Sequence, residues 1–176
     1  MIVDILVQVV VFVTFLFYGS FFEWGLHKRV LHARFPLLGY AYISHQLEHH
    51  VEYRGDESFE SRDPKVKDHG RFKAWDYLYL MLFHLPPVLV VGWAIGIYIA
   101  PTCMLGALAY TFAFDFLHKS YHVPRGRFYE KHGWFRWLKY HHRLHHRRQN
   151  RNLNVVFPLA DFVFRTRIGV AHGVGT

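Results

Sequence analysis

The sequence predicts an all-α integral membrane protein with about three spans and a cytoplasmic, histidine-rich, metal-binding cap. Three observations carry that fold class. Apolar residues make up 52% of the 176 positions, more than a soluble domain of this size needs. Two long runs carry no formal charge, and every Lys and Arg lies outside them. The abundant Phe, Tyr and Trp fit the same class, because aromatic rings gather in cores and at bilayer interfaces.

The first run, Ile5 to Phe22, is eighteen residues long and meets the length of a transmembrane helix. We place the span at about residues 5–26. No basic segment precedes it and no small-residue cleavage site follows, so it is read as an uncleaved span and not a signal peptide. The second run, Tyr77 to Phe114, has thirty-eight residues; as one helix it would extend about 57 Å, far beyond a hydrocarbon core of about 30 Å. Two crossings fit instead, at about 76–96 and 101–118, with the reversal near Gly96 to Pro101. Pro86-Pro87 is expected to kink the second of the three spans. Residues 1–176 read as a single domain without internal repeats, fraying at Gly173 to Thr176.

Lys and Arg number 21 against 13 Asp and Glu, a net charge of +8. All of the cations fall between Lys28 and Lys73 or between Lys119 and Arg167. The positive-inside rule therefore puts both segments in the cytoplasm and the N-terminus outside. In isolation His141-His142-Arg143-Leu144-His145-His146-Arg147-Arg148 would pass for a polyanion-binding arm. Beside bilayer spans it reads as a headgroup-facing surface, and no nucleic-acid partner is expected. The lone Cys103 excludes an intrachain disulfide, a thiolate zinc site and an Fe–S cluster.

Fifteen histidines are the other anomaly, since a buried imidazole must find a partner or bind something. Four clusters hold most of them: His27-x4-His32, His45-x3-His49-His50, His118-x3-His122 and His142-x2-His145-His146. Helical residues three or four apart share a face, so His45/His49, His118/His122 and His142/His145/His146 could each point two nitrogens into one cavity. His27 and His32 are five apart, about 140° around an ideal helix; they require a helix distortion or serve different ions. Ten imidazoles exceed the roughly four to six ligands of one first-row ion, so two ions is the natural count. His69, His132 and His172 read as surface residues, and His84, beside Pro86 in mid-span, as a structural polar group. Glu23, four before His27, and Asp115, three before His118, are placed to accept a ligand's second N–H.

These boxes, split by a membrane hairpin, resemble the fatty acid hydroxylase/sterol desaturase superfamily from Glu23 to Thr166. Glu23-Trp24-x2-His27 is similar to the opening of that family's first box. Asn154 and Asp161-Phe162-Val163-Phe164-Arg165-Thr166 are similar to its C-terminal signature. Bacterial beta-carotene hydroxylases are similar in length and in the basic box at His142 to His146. One departure stands out: the family's second box is usually His-x2-His-His, and the longer His45-x3-His49-His50 is seen more often in membrane acyl desaturases. That spacing puts the role of His45 in question and keeps desaturation open as the alternative outcome.

The resemblance implies ligands at His27, His32, His45, His49, His50, His118, His122, His142, His145 and His146, with His141 just outside the pattern. Glu23, Asp115, Asn154 and Asp161 would support them from behind. It implies two iron ions, with zinc a substitute in purified protein, and O2 as co-substrate for hydroxylation of a lipid: acyl chain, sterol or carotenoid. Imidazole-only ligation suits Fe(II). No dinucleotide fingerprint, cysteine cluster or fused cytochrome b5 segment is evident, so an external carrier, ferredoxin or cytochrome b5-like, is expected to supply electrons. A non-redox metal transporter is the reading from another class. Its site would lie near the bilayer midplane, whereas these histidines cluster beyond the spans.

Overall fold

The computed structural model describes residues 2–36, 38–61 and 72–169. His69, His172 and Gly173 to Thr176 lie outside them. The described residues are helical and contain no strand. The three long helices are α1 (Ile2–Leu26), α4 (Ala74–Ile95) and α5 (Ala100–His122); between α1 and α4 lie two short ones, α2 (Gly39–Tyr42) and α3 (His50–Glu52). α6 (Gly133–Arg147) and the short α7 (Leu159–Val163) complete the chain.

Among the described residues three helical stretches are long and apolar enough to cross a membrane: Val3–Leu31, Ala74–Ile95 and Ile97–His122. They overlap the expected spans, the first running on past residue 26 to Leu31 and the third past residue 118 to carry His122 on the same helix. The reversal falls where expected. Gly96 ends α4 with φ +138°, a conformation that side chains resist, and Pro101 lies in the first turn of α5, where its missing N–H costs nothing. α4 stays helical through Pro86 and Pro87.

α5 is the central helix and packs against both α1 and α4. In lipid, close helix approach depends on small residues. At Gly106 an added Cβ would come within 2.8 Å of Phe15 Cβ, and at Gly19 within 2.4 Å of the Tyr110 ring. Val11, Phe15, Val88, Ile99, Cys103 and Ala107 form one core within the bundle. A second core, including Phe59, Phe114, Leu117, Tyr121, Phe135 and Val155, mounts α6 against the end of α5. Much of the outer surface of the long helices is apolar and exposed, Trp93, Val10 and Phe112 among it, as a lipid-facing surface requires.

Candidate metal centre

Ten imidazoles converge where the first and third spans end, in two groups of five: His27, His32, His45, His50 and His145, and His49, His118, His122, His142 and His146. Within each group one ring nitrogen per residue lies within 4.8 Å of all the others. These are the ten residues of the four boxes. His132 is exposed. His84 belongs to neither group: its Nδ1 lies 3.3 Å from Tyr18 Oη and its ring centroid 4.0 Å from that of Phe22. His141 also stands apart, with Nε2 3.0 Å from Asp161 Oδ2.

Two π-helical turns explain how residues five apart come together. The His32 N–H donates to the His27 carbonyl at 3.0 Å, and the His50 N–H reaches back to the His45 carbonyl. An i to i+5 bond widens the turn, so that residues five apart stand one above the other, and such turns are frequent at functional sites. The extra residue of the second box is absorbed in this way, and His45 and His50 enter one group.

That turn corrects an expectation. His45 and His49 do not share a group: His49 points to the second and His45 to the first. His145 likewise leaves His142 and His146, which share the second group at i,i+4. Adjacent side chains on a helix diverge by about 100°, so His49/His50 and His145/His146 each divide between the groups and tie them together. His118 and His122 stay together, as their spacing predicts.

Backbone carbonyls fix the rings. Nδ1 of His27 donates to Leu153 O, of His122 to Phe59 O (2.9 Å), of His145 to Arg151 O (2.9 Å) and of His146 to Tyr53 O. Nδ1 of His32 donates to Gln46 Oε1, whose amide nitrogen is itself bonded to Gln149 Oε1. A carbonyl oxygen only accepts, so each of these Nδ1 atoms carries the proton and leaves Nε2 with a bare lone pair.

The exposed lone pairs face one another. His32 Nε2 and His145 Nε2 are 3.0 Å apart, and His122 Nε2 and His146 Nε2 each lie 3.0 Å from His142 Nε2. Two ligands about 2.1 Å from one ion at right angles would be separated by about 3.0 Å. Neither nitrogen of the buried His49 has a hydrogen-bond partner. Donor type, spacing and orphaned atoms all fit a metal ion in each group.

Protons do not supply the missing charge. Burial first, and repulsion from neighbouring imidazoles second, hold the rings of His45, His49, His142 and His146 well below the ordinary 6.5. His145 is pushed down to about 3 and His32 to about 4, burial again the leading cause. The unfolded chain takes up protons near pH 6.5 while the folded one refuses them. The metal-free fold should therefore hold its stability above that pH and lose it progressively from about 6.5 down to about 3. Each fully buried ring contributes up to about 1.4 kcal/mol per pH unit. Melting of chelator-treated protein at pH 8, 6 and 5 checks this, and a flat profile would contradict it.

The carboxylates act one step further back than expected. Glu23 does not receive a ring N–H. It accepts Tyr110 Oη–H at 2.6 Å, the Asn154 side-chain amide at 3.2 Å and the Val155 N–H. Asp115 accepts the Phe72 N–H at 3.0 Å and Tyr77 Oη–H at 3.1 Å, tying down the approach to α4. Asp161 takes the N–H groups of Leu153 and Asn154. Asn154 in turn holds Ser20 O and accepts the Asp161 N–H. Glu23, Asn154 and Asp161 thus fix the segment 151–155, whose carbonyls at Arg151 and Leu153 orient His145 and His27. Sequence reading could not find those carbonyls, because a main-chain acceptor leaves no residue signature.

An apolar cavity of about 730 Å³ ends on this centre. His45 of the first group and His118 of the second both stand in its wall, with Leu31, Leu80 and Phe114. A family model described as fatty acid hydroxylase matches residues 12–166 of the chain. No curated protein and no solved structure matches it.

Proposed function

This chain belongs to the fatty acid hydroxylase family, and from that premise we propose that it is an O2-dependent hydroxylase of a lipid C–H bond whose ten imidazoles hold two iron ions. The observation that carries the reading is the meeting of both imidazole groups at the end of one apolar cavity. Bound iron would supply O2 activation, with two electrons from a carrier and two from the C–H bond reducing O2, one oxygen atom entering that bond and the other leaving as water with two protons. The chain's own part is to orient the Nε2 donors through Nδ1, to exclude water with an apolar wall, and to hold one carbon beside His45 and His118. Zinc would also be accepted by such an all-imidazole set.

We place the cap in the cytoplasm on the distribution of Lys and Arg; a reporter fused near residue 98 should then sit outside. Electrons would come from an external carrier, ferredoxin or cytochrome b5-like. Arg147 and Arg148 are exposed beyond the last box, and a positive field there would steer an acidic partner.

Product analysis under labelled O2 with a reduced carrier tests the function. Hydroxylation gives an alcohol carrying one labelled oxygen, at a carrier-limited rate that falls as added salt shortens the Debye length. An unlabelled alkene would establish desaturation, and no oxidised lipid from fully iron-loaded protein would remove the enzyme reading altogether.

A further inference from the structure

The cavity that ends at His45 and His118 has a polar rim and an apolar flank. The exposed Tyr40 and the half-buried Ser44 and Asp76 make the rim, and Asp76 lies in the first turn of α4, at the end of that span. Among the described residues the wall contains this one carboxylate and no Lys or Arg. The nearby Lys73 lies over the Tyr40 ring, 5.0 Å from its centroid, bonds to Tyr40 and feels the charges of Asp76 and Glu48. Among the described residues two carboxylates thus act on this one cation. Of the apolar lining, Leu26, Val30, Phe35 and Phe83 also line an adjoining hollow of about 270 Å³, which extends along α1 past Phe22 and Gly25. A Cβ at Gly25 would meet nothing within 4 Å, so the apolar end runs out between α1 and α4 towards the bilayer.

Head-group chemistry follows from the rim. An ionised carboxylate only accepts hydrogen bonds, so Asp76 recognises a donor; a lipid hydroxyl offers one and a fatty-acid carboxylate has none. The carboxylate head would also meet like charge at a partly desolvated rim. Resting on the hydroxylase reading, we infer that the centre takes an uncharged lipid with a hydroxyl at its polar end. Its head would sit against Tyr40, Ser44 and Asp76, and its tail would leave between α1 and α4.

Equilibrium binding of radiolabelled oleyl alcohol and oleate to metal-loaded protein in nanodiscs at about pH 8 isolates the charge, because the two share one tail. The alcohol should bind about 10-fold or more tightly than oleate, in line with a hydrogen bond to a charged acceptor. Asp76→Asn keeps a capping oxygen for the Lys73 N–H and should narrow the gap to about 3-fold or less, with metal content unchanged. Oleate binding as tightly as the alcohol, or a gap indifferent to Asp76→Asn, would overturn the inference. Because binding is read without turnover, a clear preference for the alcohol in a chain that oxidises nothing would sustain the rim's selectivity while sinking the hydroxylase reading.

Discussion

His32→Ala and His118→Ala should each lose about one metal ion per chain and keep the other, and the double variant should lose both. The reason is the sorting of the boxes into two groups, with His32 in the first and His118 in the second. Loss of an outer hydrogen-bonding partner typically weakens metal affinity about 10- to 100-fold, so loss of an imidazole that itself binds should cost more than about 100-fold. Turnover should fall to background in both single variants, because the cavity ends on both groups together. His84→Ala, with its ring held by Tyr18 and Phe22, and His132→Ala, at an exposed position, should keep both ions. Elemental analysis of iron-replete protein decides the matter. If either single variant lost both ions while its helical content stayed intact, the groups would be one cooperative site, and the sorting of ligands between two ions would be wrong.

The spans were legible because bilayer thickness acts on length alone: a charge-free run of thirty-eight residues has no option but to fold back, and Gly96 and Pro101 mark where. The ten imidazoles were legible as a set because side chains of one chemical type recur at helical spacing. Their sorting was not. Ideal α-helical geometry pairs His45 with His49, and only the π-turn, written in backbone hydrogen bonds, pairs His45 with His50. The same distortion answers what the His27-x4-His32 spacing left open. Glu23 and Asp115 read from spacing as acceptors of a ligand's N–H, yet spacing along one helix cannot show that a distant segment, residues 151–155, lies between Glu23 and the rings, or that Asp115 turns to Phe72 and Tyr77.

That segment makes Asp161 the residue outside the imidazole groups whose removal should cost most. Its fully buried carboxylate accepts the N–H groups of Leu153 (3.0 Å) and Asn154 (2.8 Å), the Thr166 hydroxyl (2.6 Å) and His141 Nε2 (3.0 Å). Alanine would strand these donors, and a buried donor left unpaired costs about 1–3 kcal/mol. Allowing for partial relaxation, Asp161→Ala should destabilise the fold by about 3–5 kcal/mol and lower its melting temperature by about 10 °C. Asparagine should rescue little, since its amide would set a donor against donors. The effect on metal should be one-sided. Leu153 O and Arg151 O orient His27 and His145, both of the first group, whereas the Nδ1 acceptors of His122 and His146 belong to Phe59 and Tyr53. Affinity for one ion should therefore drop about 10- to 100-fold while the other is held as before. Asp56→Ala, which removes an exposed carboxylate capping a short turn at Ser58, should cost only about 1 kcal/mol and leave metal content unchanged. Equal weakening of both ions in Asp161→Ala would mean that the variant acts through general loosening, and an unchanged melting temperature would mean that Glu23 and Asn154 hold the segment without it.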